Sequence, residues 1–156
     1  MQYEDTSESE TEITKIFMNA LEDNSFDTVR GLLGDDFTFS GWTPRPLNKK
    51  EFLETMRGLK EGLPGLIFNL HNVSSTADHR VAGSIQVTGY QSDSFILPAL
   101  GTPPIPQMAR SVSLPSEEVE FAIAEGKITR LNVQVVQGGG IRGLLEQLGV
   151  ELRLIQ

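Results

Sequence analysis

The main change of hydrophobic period in this chain falls between residues 62 and 66. Before it, apart from the segment DDFTFSGW, apolar side chains recur three and four positions apart, and from residue 66 to 136 they alternate with polar ones. The first spacing lines one face of a helix and the second lines one face of a strand, so the two halves cannot exchange roles. A run of helices followed by a run of strands predicts an α+β fold, with the helices packed on one face of a mainly antiparallel sheet. At 156 residues the chain suits one domain with one core.

Residues 1–9 are acidic and polar and predict a disordered tail, leaving 10–156 as the single domain. Ile13, Ile16, Phe17, Ala20 and Leu21 then form a helical stripe, and Phe26, Val29, Leu32 and Leu33 a second, shorter one. The segment DDFTFSGW reads as the first strand and TPRP as a turn. Asn48, with Glu51 three residues on, predicts a capping box opening a third helix that buries Phe52, Leu53, Met56 and Leu59. Strands are expected over residues 66–76, 80–91, 108–124 and 128–136, with a kink near Leu114-Pro115. The proline-rich stretch SDSFILPALGTPPIPQ is too long for a hairpin turn and suits a lid or pocket wall.

The chain closes on VVQGGGIRGLLEQLG. A phosphate loop needs Lys and Ser or Thr after its last glycine, where Ile141 and Arg142 stand here. The glycines are therefore read as a bend into a helix that buries Ile141, Leu144, Leu145 and Leu148. The net charge of −8 argues against nucleic acid and anionic membranes as partners. Without cysteine there is no disulfide, thiol nucleophile or zinc-thiolate site, and no metal or cofactor is expected. The N-terminal residues lack the pattern of a secretory signal, and the expected location is cytoplasmic.

Four short motifs occur in order: VTGYQ (residues 87–91), GTPP (101–104), GKI (126–128) and GLLEQLG (143–149). Together they resemble the SnoaL-like polyketide cyclase branch of the nuclear transport factor 2-like superfamily. That resemblance implies a strongly curved, mixed antiparallel sheet packed against N-terminal helices, a cone with an internal pocket. It also implies a homodimer paired through the sheet. The branch places an aspartate in the final strand and a histidine in its T-G-T-H motif as proton-transfer groups. Here Asn132 and Val133 align with the first region and Gln91 with the second, and no carboxylate lies between residues 129 and 137.

The resemblance thus implies a pocket lined by Trp42, Tyr90, Gln91, Met108, Phe121, Leu131 and Val133, without the family's base. The leading expectation is a protein that binds an apolar, polyketide- or terpenoid-like ligand in the cone. One alternative is an enzyme of the same fold, a cyclase, isomerase or hydrolase, with a displaced acid or base, His71 or Asp93. Another is a dimeric interaction module. His79 and the Glu117, Glu118 and Glu120 run are read as mainly solvent-facing, with Glu118 and Glu120 within reach of Arg110 or Arg130.

Overall fold

The computed structural model describes residues 2–150. The elements run α1 (Gln2–Glu22), α2 (Phe26–Leu32), β1 (Leu33–Ser40), β2 (Leu47–Asn48), α3 (Lys49–Gly62), β3 (His71–Ala77), β4 (Arg80–Ile85), β5 (Thr88–Tyr90), a 3-10 turn (Pro98–Leu100), β6 (Ser111–Ser113), β7 (Glu117–Ala124), β8 (Lys127–Gln134) and α4 (Gly140–Gln147). Six strands form one sheet in the order β2-β1-β8-β7-β4-β3, and β5 pairs with β6 in a second. Every pairing is antiparallel except β1 with β8, which is parallel. The expected α+β architecture is present, with a mixed sheet that is not closed into a barrel.

The helix pattern maps onto the core with one exchange. Phe17, Ala20 and Leu21 of α1 are buried, but Ile16 is exposed and Thr14 takes a buried place, its hydroxyl donating to the Thr11 carbonyl. That bond is what lets a polar side chain sit on the inner face. The helix itself begins at Gln2, inside the stretch read as a tail. Adding turns to a helix already anchored further along is far easier than nucleating one. In α3 the capping box is complete. Asn48 Oδ1 accepts from the Glu51 amide at 2.9 Å, and Glu51 Oε1 accepts from the Asn48 amide at 3.0 Å.

The strands are shorter than their alternation suggests. The segment before β3 makes only a bridge, Ile67 to Thr88, and the expected strand over 80–91 divides into β4 and β5, in different sheets. The expected break near Pro115 separates β6 from β7. β3 lies at the free edge of the large sheet. Its register with β4 shifts twice, and Asn72 there has φ of 54°.

Between the sheet and the helices, Phe52 stacks among Phe17, Phe37 and Phe39 with ring centroids 4.9–6.1 Å apart, and Phe17 meets the edge of Phe121. The long loop packs against α3 rather than standing free, burying Phe95, Leu97, Leu100 and Ile105. Among the described residues no helix is long and apolar enough to cross a membrane.

Two of the polar ties that hold α1 are testable. Buried Lys60 donates to the carbonyls of Glu22, Pro64 and Leu66 at 2.8–3.0 Å. Burial pushes its pKa down, opposed by the nearby Glu22 and Asp23 carboxylates. Replacing it by methionine strands three carbonyls, so Lys60→Met is expected to lower unfolding free energy in urea by roughly 2–4 kcal/mol.

At the other tie, His79 in the β3–β4 turn meets Glu10 of α1 at 2.8 Å, and that hydrogen bond raises the histidine pKa above 6.5. A raised pKa in the folded state adds stability that is complete below the unfolded value and vanishes as pH rises through the folded one. The stability lost in His79→Ala should therefore be larger at pH about 5.5 than at pH about 8.5, read from thermal melts at the two values. A pH-independent difference would rule out this linkage.

Candidate functional site

The inward rows of the strands and the first and third helices face one another across a nearly filled space. Its walls are Phe39 of β1, Leu131 and Val133 of β8, Val119 and Phe121 of β7, Ile85 of β4, Met18 and Leu21 of α1, Phe52 and Met56 of α3, with Phe68 and Trp42. The cavity left among them is about 20 Å³. That is room for about one water, whereas ligand pockets run to hundreds of Å³. Every wall residue is apolar apart from the indole N–H of Trp42.

Trp42 is placed by the turn after β1. Gly41 has φ of 96°, and a Cβ there would lie 1.8 Å from the Val133 carbonyl oxygen, so only glycine lets the chain turn this tightly against β8. The turn carries Trp42 inward, where it is 3% exposed. Its Nε1–H donates to Glu117 Oε1 at 3.1 Å, and Glu117 Oε2 accepts the Val136 amide at 3.1 Å. Glu117 is 1% exposed, and among the described residues it has no ion pair. Two N–H donors thus satisfy a carboxylate at the end of an otherwise apolar face.

The glycine run packs on this pair. A Cβ on Gly139 would sit 2.3 Å from Glu117 Oε2, and the Trp42 carbonyl accepts the Ile141 amide of α4 at 2.9 Å. Ile141, Leu144, Leu145 and Leu148 are all buried, as the closing segment predicts. Outside lies a groove of about 600 Å³ between Trp42–Pro44 and Val135–Gly143. Trp42 borders both this groove and the inner cavity.

The sequence-derived site residues fall into separate places. Trp42, Phe121, Leu131 and Val133 meet at the inner cavity. Gln91 is fully buried elsewhere, its amide donating to the Pro106 carbonyl and accepting from the Met108 N–H, so it clasps the long loop. Met108 packs beside the core, and Tyr90 is 49% exposed. His71 is exposed, its ring 2.7 Å from the Asn69 carbonyl, and borders a surface groove between α1 and β3. Asp93 is exposed and accepts from the Ser94 amide. Neither His71 nor Asp93 borders the inner cavity.

Glu118 accepts from Ser84 and Glu120 lies 3.6 Å from Arg80, in place of the Arg110 and Arg130 partners expected. Those two do face outward. Glu117 does not, and the signal for it was present: Glu117, Val119, Phe121 and Ile123 are one alternating row, which puts the carboxylate on the apolar face.

No family sequence model and no curated protein matches the chain. Solved structures do. An LEH-like epoxide hydrolase of M. tuberculosis is 17% identical, covering 92% of this chain and 94% of its own, with a TM-score of 0.67. IdmH of Streptomyces antibioticus, provisionally assigned as a polyketide cyclase, is 16% identical over 90% and 99%, with a TM-score of 0.67. A SnoaL-like polyketide cyclase of Agrobacterium tumefaciens is 20% identical over 78% and 86%, with a TM-score of 0.58. At these identities the likeness establishes the fold alone, the α+β architecture shared with these neighbours, in line with the fold that the resemblance of the four motifs implies.

The Gly139 contact is testable by itself. Gly139→Ala drives a methyl into the Glu117 carboxylate and should cost about 1–3 kcal/mol in urea unfolding. Gly31, in α2 with open space where a Cβ would go, should instead gain about 0.4–1 kcal/mol as alanine. Equal effects at the two positions would remove the steric account.

Proposed function

We propose that this chain, built on the SnoaL-like fold, binds a small apolar molecule in the space beneath the inward face of its sheet. The observation that carries this reading is the lining itself: twelve residues, all apolar but for one indole N–H, enclosing a cavity of about 20 Å³ that touches an outer groove through Trp42. A cavity this small has no room for such a molecule as it stands, so occupation requires wall residues to move. Met18 and Met56 are suited to that, being unbranched with several rotatable bonds. Apolar burial supplies the affinity, at about 25 cal/mol for each Å² removed from water. The fold neighbours support the reading in their names, which attach epoxides and polyketides to proteins of this architecture.

Of Asn132 and Val133, the positions aligned with the family aspartate, Val133 borders the cavity and Asn132 does not, and Gln91 is committed to the loop. The reading therefore gives the chamber a holding role, with no proton transfer by either position.

N-phenyl-1-naphthylamine is a neutral apolar probe that brightens when removed from water. Wild type should take it up saturably, and Trp42, the one tryptophan in the chain, should quench in step. Met56→Ala enlarges the space, so it should bind the probe more tightly while losing about 2–5 kcal/mol of stability. If neither protein binds it, the chamber is only a core.

A further inference from the structure

The chamber's wall contains a candidate for its own ligand. The Trp42 indole is a flat, fused-ring body with one N–H donor, set against the apolar inner face and aimed at a buried carboxylate. It also borders the groove of about 600 Å³ outside. We propose that the ligand replaces this side chain: Trp42 swings toward the groove, and a molecule of similar shape enters with its own O–H or N–H donating to Glu117 Oε1. This deepens the apolar-ligand reading and rests on it.

Three features point the same way. Glu117 holds its second oxygen on the Val136 amide, a backbone group that stays when Trp42 leaves, so the acceptor remains aimed. Gly139 lies beside the carboxylate, close enough that a Cβ there would sit 2.3 Å from Oε2, so only glycine leaves the carboxylate its place. A carboxylate buried with one donor lost is costly, so an entering molecule without a donor is penalised and one with a donor is not. Glu117 therefore sets the class: a compact apolar body of about indole size bearing one hydroxyl or amine hydrogen. The carboxylate disfavours an anionic head in the same place, as does the net charge of −8.

The probes are 2-naphthol and 2-methoxynaphthalene, equal in ring body and differing in the O–H, titrated by isothermal calorimetry at pH 7. Wild type should bind the naphthol at least about tenfold more tightly, the ordinary size of a hydrogen bond to a charged group. Glu117→Gln, which keeps the shape and removes the charge, should narrow that preference to about threefold or less. Trp42→Ala vacates the site in advance, so it should bind both probes more tightly than wild type does and still prefer the naphthol.

Equal affinities in wild type would overturn the Glu117 anchor while leaving the apolar chamber standing. Binding by Trp42→Ala but not by wild type would show that Trp42 does not yield its place, which also overturns the proposal. Should Trp42→Ala fail to fold, the wild-type and Glu117→Gln comparison decides alone. Absence of binding by every protein, N-phenyl-1-naphthylamine included, removes this proposal and the reading beneath it together.

Discussion

The parallel pairing of β1 with β8 determines where everything else can be. It joins Phe39 to Leu131 and Ser40 to Asn132, residues more than ninety positions apart. Because the two strands run the same way, both chains leave the sheet at the same end. The exit of β1 is the Gly41-Trp42 turn, and the exit of β8 is the glycine run that starts α4. β7 is antiparallel to β8, so its first residue, Glu117, lies at that end too. One pairing thus brings a tryptophan, a carboxylate and three glycines from distant parts of the chain to a single corner. An antiparallel β1 would send Trp42 to the opposite end of the sheet.

The elements whose pattern is local were legible in the sequence. The capping box at Asn48 and Glu51, the stripe of Phe52, Met56 and Leu59, and the terminal helix with its four buried apolar residues follow from spacing alone. The four motifs carried the architecture through the family they resemble, not through any local pattern. What local pattern could not supply was the division of residues 80–91 between two sheets. Alternation continues through Val87 whether or not the strand changes partner, and only the bridge to Ile67 and the pairing with β6 decide it. Ile16 shows the same limit on a helix. It fits the stripe by spacing, but the buried face is centred closer to Thr14 and Met18.

The site was legible in half. Phe121, Leu131 and Val133, named through the family resemblance, border the inner cavity together with Trp42. Gln91 and Met108 were expected with them because motif order placed them near the loop. Both ends of the Gln91 amide are used by loop backbone, a fact of tertiary hydrogen bonding that sequence spacing does not carry. Glu117 was passed over for a different cause. Its neighbours Glu118 and Glu120 make the segment look like a solvated charge run, and composition outweighed periodicity. Counting from Phe121 backward by twos puts Glu117 inside.

The edge of the large sheet has a bearing on how copies of this protein meet one another. β3 is polar but for Val73 and Ala77, its register slips twice, and Asn72 turns its backbone out of the extended form; the opposite edge, β2, is two residues long. Neither rim offers the straight row of amides and carbonyls that another strand would need for pairing. Strand addition that would extend the large sheet from one molecule into the next is therefore disfavoured at both of its rims.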